Sequence, residues 1–172
     1  SKGHDYHNVK LVVVLGIDSV LNMNSYKSRE KALSLLIQIS GRSGRSGEGE
    51  VIIQTKNEEF FNHYLNDSNY QEFLKSELEF RQDFYPPFLK MAKITFSHTN
   101  GLKIKNEMDS YVHMLKENKD IEVVGFGQSP IFKMASKYRY EIILRSNNIN
   151  ALLNALHSIS SPNASIDMDT IY

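Results

Sequence analysis

Two short runs of apolar residues dominate the hydrophobic pattern of the first third of the chain. Residues 9–15 and 51–55 are rich in β-branched side chains, which predicts buried strands that are covered on both faces. Between them, residues 28–40 repeat apolar side chains at helical spacing, and Ser28 is a residue type that favours the N-cap. Residues 41–49 are rich in glycine and serine and are expected to form a loop.

The middle of the chain is predicted to be helical and acidic. Asn57 can cap a helix over residues 58–65, and a second helix is expected over Tyr70–Arg81. Residues 57–86 carry two Lys or Arg against seven Asp or Glu. The pair Pro86-Pro87 then lacks two backbone donors and pushes the preceding residue out of the helical region. We therefore place a domain boundary near residues 85–88.

The second half of the chain alternates between strand and helix patterns. Strands are predicted at residues 91–97, 121–126, 138–144 and 164–168, and helices at residues 102–117 and 149–159. This order, β-α-β-β-α-β, is the ferredoxin-like pattern, in which both helices cover one face of an antiparallel sheet. The fold class expected for the whole chain is thus α/β followed by α+β.

Composition excludes several classes of protein. The chain contains no cysteine, so neither disulfides nor a cysteine-ligated zinc site can form within it. No apolar run approaches the roughly 18 residues that a membrane span needs, and no signal peptide is visible at Ser1. We therefore expect a cytoplasmic protein without a membrane partner. The net charge is zero, although mildly basic ends flank the acidic middle, so local basic patches remain possible.

The segment with the clearest chemistry is residues 38–45. Gln38 lies near the end of the predicted helix, and Gly41 and Gly44 allow a turn that exposes Arg42 and Arg45. Two rigid guanidinium groups suit a polyphosphate at a boundary between lobes or subunits. An arginine placed there stabilises charge on the transferred phosphoryl group, an effect worth roughly 10³–10⁵ in rate. The alternative is a solvated Gly/Ser/Arg loop without a ligand.

The spacing Q-x-x-G-R-x-G-R resembles motif VI of superfamily 2 helicases. Residues 1–6 and 8–12 resemble motif V of the primosomal replication-restart helicase family, PriA (primosomal protein N′). Further matches follow in the family's order, namely Asp18 after the strand, residues 26–31, Glu77 with Arg81, the Tyr85-Pro86-Pro87-Phe88 junction, Pro130-Ile131, residues 138–140 and residues 166–169. The resemblance covers essentially the whole chain.

The resemblance implies a domain organisation and a set of site residues. Residues 1–56 would be the C-terminal part of a RecA-like helicase lobe, residues 57–86 a helical connector, and residues 87–172 the ferredoxin-like domain. Gly3 and Asp5 would line the cleft between helicase lobes, although Asp5 could also be a turn or capping residue. In the same cleft Gln38 would orient groups, and Arg42 and Arg45 would reach the γ-phosphate, with Arg45 the better candidate for the arginine finger. Lys2 and His4 would approach the DNA backbone.

A second candidate site lies between residues 132 and 145. Basic side chains there alternate with aromatic ones, a combination that can neutralise phosphates and stack on unpaired bases. The candidates for DNA binding are Lys133, Lys137, Tyr138 and Arg139. Strand alternation separates Tyr138 and Tyr140 from the charged side chains, so the tyrosines could instead pack in the core. We assign no metal ligands.

Several motifs that the resemblance leads us to expect are missing from this sequence. It has no G-x-x-x-x-G-K-[ST] phosphate loop, no Walker-B strand and no match to the family's cysteine-ligated zinc module. The family is expected to use ATP and Mg²⁺, and to act with forked and single-stranded DNA, single-stranded-DNA-binding protein and other primosome proteins. The leading hypothesis is the C-terminal portion of an ATP-dependent 3′-to-5′ DNA helicase that restarts stalled forks and begins primosome assembly, and that is not catalytic without its other lobe. The alternatives are a non-catalytic module that binds single-stranded DNA or protein, and another superfamily 2 translocase.

Overall fold

The computed structural model describes residues 10–23, 25–43, 49–65 and 69–168, with residues 41–43 described by their backbone alone. The chain divides between Glu79 and Phe80 into two compact units. The elements of the first unit are β1 (Leu11–Val14), α1 (Ile17–Leu21), α2 (Ser28–Ser43), β2 (Glu50–Ile53), α3 (Glu58–Tyr64) and α4 (Tyr70–Arg81), the last of which ends just beyond the division. The elements of the second unit are β3 (Lys90–His98), α5 (Gly101–Lys116), β4 (Glu122–Met134), β5 (Lys137–Ser146), α6 (Ile149–His157) and β6 (Ala164–Met168).

The first unit is built on two parallel strands. β1 pairs with β2 so that Val12 lies opposite Val51 and Val14 opposite Ile53. These side chains pack against a small core whose buried members are Val14, Ile17, Ala32, Leu36 and Phe61. The other face of the sheet carries Leu11 and Val13, which are 51% and 52% exposed, and Ile52. The predicted coverage of both faces is therefore wrong within the residues that the structure describes.

Two local predictions for the first unit also need correction, and one short helix was not predicted. A short helix, α1, follows Gly16, whose φ of 71° favours a residue without a Cβ. The backbone of residues 41–43 continues α2 instead of starting a loop, because glycine lowers helix stability by only about 1 kcal/mol and does not forbid the helix. Ser28 is the first helical residue of α2 and not its cap. Asn57 does occupy the N-cap of α3, but its side chain makes no capping bond.

The second unit shows the β-α-β-β-α-β order that the sequence predicts. Its four strands form an antiparallel sheet in the order β4-β5-β3-β6. One face carries Ala92, Ile94 and Phe96 from β3 opposite Leu144, Ile142 and Tyr140 from β5. These six side chains form one buried cluster with Ile104, Met108, Val112 and Leu115 of α5 and Leu152, Ala155 and Leu156 of α6. Both helices therefore cover the same face of the sheet.

The helices of the second unit start at capped positions. The Asn100 side chain accepts a hydrogen bond from the Lys103 N–H, and Asn148 accepts two from Asn150 and Ala151. Such caps satisfy backbone donors that the helix cannot use and are worth about 1 kcal/mol each. None of the helices in the described ranges is both long and apolar enough to span a membrane.

Candidate functional site

Helix α2 carries the described part of the predicted nucleotide site. Its inner side buries Ala32, Leu33 and Leu36, which fixes the helix on the first unit. Gln38 lies on the exposed side, one turn before the helix ends. The backbone of Arg42 belongs to the last turn of α2. Arg45 and the motif V residues Lys2, Gly3, His4 and Asp5 lie outside the described residues, so their predicted roles stay predictions.

The start of α2 is tied to α4 by a buried carboxylate. Glu77 is only 2% exposed, and its Oε1 lies 2.8 Å from Nη1 of Arg29. The Arg29 guanidinium also lies over the rings of Phe60 and Phe73, 5.0 and 6.0 Å from their centroids. A charge this deeply buried is tolerated only when it is paired, and the two rings hold the Arg29 guanidinium that pairs with Glu77. The sequence could not reveal this pair, because its members are far apart along the chain.

Asp18, in the short helix after β1, is held by hydrogen bonds to residues that follow β2. Its Oδ1 accepts hydrogen bonds from the Thr55 hydroxyl at 2.6 Å and the Asn57 amide at 3.0 Å, and its Oδ2 accepts one from the Lys56 N–H at 2.8 Å. These bonds, the Thr55 hydroxyl foremost, lower the pKa of Asp18 below its usual value. Asn57 turns its amide to Asp18, which explains why it does not cap α3. The aspartate thus joins the ends of the two parallel strands.

The four predicted DNA-binding residues lie at or beside the turn between β4 and β5. Lys133 pairs across the strands with Tyr138, whereas Arg139 pairs with Ser97 of β3. Lys133 and Lys137 are exposed. Alternation along β5 places Lys137 and Arg139 on the face of the sheet that the helices leave open. The structure therefore brings all four residues to one end of the second unit.

Tyr138 packs within the domain on several sides. Its ring centroid lies 5.4 Å from that of Phe132, and the Lys133 ammonium lies 4.9 Å from the centroid. A Cβ at Gly101 would meet the ring at 3.1 Å, so the glycine provides the space in which Tyr138 lies. Tyr140 is buried in the core. These contacts agree with the alternative prediction, in which the tyrosines pack within the domain. Stacking of Tyr138 on a DNA base stays a prediction.

Arg145 is the last basic residue between positions 132 and 145, and its contacts differ from those of the four candidates. Its Nε and Nη2 donate to both carboxylate oxygens of Glu122 at 2.7–3.0 Å, and its Nη1 donates to the Phe84 carbonyl at 3.2 Å. The guanidinium also lies 5.4 Å from the centre of the Phe84 ring. These partners use most of its donors, so Arg145 has a structural role in positioning the segment before β3. Within the described ranges, no three His, Asp or Glu side chains are placed to hold a metal ion.

Comparison with known proteins identifies relatives over both units. Residues 81–171 match the family described as "Primosomal protein N C-terminal domain". The chain is 40% identical to the replication restart protein PriA of Helicobacter pylori strain J99 over 99% of this chain and 28% of the relative. It is 34% identical to the protein of that name from Bacillus subtilis strain 168, over 91% of this chain and 20% of the relative.

A third protein of that name, from Synechocystis, is 29% identical over 99% of this chain and 22% of its own length. The chain thus spans less than a third of the length of each of these relatives. The family match covers more than half of the chain and includes every strand and helix from β3 to β6. The chain belongs to the PriA family, whose primosomal C-terminal domain it contains.

Proposed function

We propose that this chain is the C-terminal portion of an ATP-dependent 3′-to-5′ DNA helicase that restarts stalled replication forks and begins primosome assembly. The observation that carries the proposal is the alignment of both units, as one continuous stretch, with proteins named for replication restart. The motif VI spacing on α2 supplies the link to ATP. In this proposal the chain alone is not catalytic, because it has no phosphate loop.

The architecture of the first unit supports a place within a RecA-like lobe. Parallel strands normally have both faces covered, whereas Leu11, Val13 and Ile52 leave one face of the β1–β2 sheet apolar and exposed. Additional polypeptide that covers this face would complete a doubly covered parallel sheet. The cysteine-ligated zinc of the family would have to be bound outside this chain, which has no cysteine.

The proposed roles of the site residues follow from their positions in the motifs. Arg45 and Arg42 would stabilise negative charge on the γ-phosphate of ATP, whose Mg²⁺ would be held chiefly by the other lobe. Gln38, exposed near the end of α2, would contribute a hydrogen bond in the same cleft. Gly3 and Asp5 would couple nucleotide to DNA, and Lys2, His4, Lys133, Lys137, Tyr138 and Arg139 would contact DNA. Single-stranded-DNA-binding protein and primosome proteins are the proposed protein partners, and the cytoplasm is the proposed location.

The test uses the full-length protein with Arg45→Ala. We expect nucleotide binding to be kept and DNA-stimulated ATP hydrolysis to fall by roughly 10³-fold or more, because the arginine acts on charge that develops in the transition state. Steady-state ATP hydrolysis with and without forked DNA measures the loss, and a fluorescent nucleotide measures binding. Lys56→Ala, which removes an exposed cation from the same unit, is the matched control and should keep full activity. Normal turnover by Arg45→Ala would remove this residue from the proposed role.

A second candidate function is a non-catalytic module that binds single-stranded DNA or a protein partner. Its support is the second unit, which has its own closed hydrophobic core and places Lys133, Lys137 and Arg139 at one end. This function predicts that the chain binds single-stranded DNA with an affinity that falls as salt rises, whereas ATP hydrolysis in the full-length protein is indifferent to Arg45. The two experiments therefore separate the two functions.

A further inference from the structure

The face of the four-stranded sheet that the helices leave open contains a shallow depression over β4 and β5. Its volume is about 250 Å³, and it is lined by Gly125, Phe126, Gly127, Gln128, Glu141 and Ile143. Pockets for drug-sized ligands usually measure roughly 300–1,000 Å³, so a depression of this size fits one side chain better than a whole cofactor. We call these six residues the β4–β5 depression.

Two glycines of β4 create the space. Gly125 lies opposite Ile143 and Gly127 opposite Glu141, so the glycines share the open face of the sheet with these two side chains. A Cβ added at either glycine would meet no atom within 4 Å. The peptide groups of β4 are therefore left without side-chain cover at these positions. The depression combines a flat floor of backbone, an apolar wall at Ile143 and a carboxylate at Glu141.

Glu141 has no cation beside it. Of the six described residues that line the depression, it alone carries a charge. Within the described part of the chain, its half-buried carboxylate makes no hydrogen bond or ion pair, and its cross-strand neighbours Gly127 and Thr95 are uncharged. Glu122 of the same sheet, by contrast, pairs with Arg145. A carboxylate that has lost part of its hydration is stabilised by a cation that enters beside it.

An arginine side chain matches these features better than other charged groups. The phosphates of nucleic acid would be repelled by the carboxylate of Glu141. A guanidinium group is planar and weakly hydrated and donates two parallel hydrogen bonds to a carboxylate, whereas the lysine ammonium is a compact, strongly hydrated charge. The flat guanidinium suits the backbone floor, and the aliphatic part of the side chain suits Ile143. Arg139 lies on the same face, but it does not line the depression.

We propose that the β4–β5 depression is a docking point for a partner protein, which inserts one arginine side chain into it. The guanidinium pairs with both oxygens of Glu141 and lies on the backbone of Gly125 and Gly127, and its aliphatic part contacts Ile143. Arginine is among the residues that most often anchor protein interfaces. This inference goes beyond the proposed function, because neither ATP nor DNA takes part in it, and the Arg45 experiment does not depend on its outcome.

The test follows the isoleucine methyl groups of the full-length protein by NMR. The δ1 methyl of Ile143 reports on the depression, and that of Ile142, which is fully buried on the other face of the same strand, is the internal reference. The variants Ile143→Val and Ile142→Val assign the two signals. Titration with Nα-acetyl-arginine amide, which resembles a residue within a polypeptide, should shift the Ile143 signal to saturation and leave the Ile142 signal in place.

Three further probes define which chemistry is recognised. Nα-acetyl-citrulline amide, in which a neutral urea group replaces the guanidinium, should need an about fivefold higher concentration for the same shift, because it cannot form the ion pair with Glu141. Nα-acetyl-lysine amide should also bind more weakly than the arginine probe. Equal binding of the lysine probe would overturn the assignment to arginine. Tighter binding of free arginine would overturn the assignment to a partner protein and indicate a site for the amino acid itself.

Two variants remove the depression in different ways. Glu141→Gln removes the charge, and Gly125→Val fills the space while keeping the carboxylate, so each should abolish the saturable shift. The matched control is Glu117→Gln, which changes an exposed carboxylate at the end of α5 and should keep the titration unchanged. An unchanged Ile142 signal shows that each variant is folded. A shift that persists in Glu141→Gln, or a wild-type Ile143 signal that does not respond, would overturn the proposal.

Discussion

In the unit that follows Glu79, two helices cover one face of a four-stranded antiparallel sheet, whereas in the described part of the preceding unit two strands pair in parallel. The antiparallel sheet can leave its second face polar, and Lys93, Arg139 and Glu141 lie there. The parallel pair instead leaves Leu11 and Val13 exposed. The second unit buries the apolar face of its sheet beneath its own helices, whereas the described part of the first unit leaves an apolar face of its sheet exposed.

The largest expected effect comes from the core of the second unit. Phe96 is fully buried between the sheet and α5, and its ring stacks on Tyr111 at 5.4 Å. Phe96→Ala should lower the free energy of unfolding of this unit by about 3–5 kcal/mol, through lost burial and the cavity left behind. Hydrogen exchange resolved by peptide should show faster exchange after Phe80 and unchanged exchange before it. Equal acceleration in both units would show that they unfold together and would contradict the comparison.

A smaller effect is expected in the first unit, at Arg29. Arg29→Met leaves the Glu77 carboxylate without this cation and should destabilise the unit by about 1–3 kcal/mol, less than the usual cost for a buried pair because Arg29 itself is about one-third exposed. Adding Glu77→Leu should restore most of the loss, since an apolar pair needs no desolvation of charge. Urea unfolding of the single and double variants measures the coupling. Additive losses in the double variant would mean that the two side chains do not act as a pair.

The smallest effect should be the pH dependence contributed by Asp18. Its pKa is lower in the folded chain than its usual value near 3.8, so its hydrogen bonds stabilise the fold above that pH and are lost as the pH falls through the folded pKa. Asp18→Asn should therefore lower stability at pH 7, and the gap to the wild type should narrow as the pH falls below 3.8 and through the folded pKa. Urea midpoints at pH 7 and in acid give the comparison, with Glu79→Gln, which changes an exposed carboxylate of the same unit, as the control. A gap that stays constant with pH would show that the charge of Asp18 contributes nothing.

The sequence predicts the second unit better than the first for a physical reason. Alternating strands, two helices with one apolar side and short connections leave few other arrangements, and strand β6 has its predicted bounds. Strand β4 is longer than predicted because residues 129–132 break the alternation while pairing resumes at Lys133. In the first unit, continuous apolar runs predict strands but do not reveal what covers them.

Candidate sites, too, can be predicted from the sequence only where their residues are close together along the chain. Spacing alone is enough to select Gln38, Arg42 and Arg45 as candidates, because the helicase motif is local. The Arg29–Glu77 contact joins residues from distant parts of the chain. Such features arise from tertiary packing, so no local pattern contains them.

The irregular stretch of β4 between Gln128 and Lys133 affects how well this strand tolerates an inserted or deleted residue. Regular pairing with β5 is present on both sides of it, at Gln128 opposite Tyr140 and at Lys133 opposite Tyr138. An inserted or deleted residue in a regular strand would shift every later side chain to the wrong face. Here the unpaired residues can absorb such a change while both flanking registers are kept. We therefore expect a length change next to the exposed Pro130 to disturb this sheet less than one within a regularly paired strand.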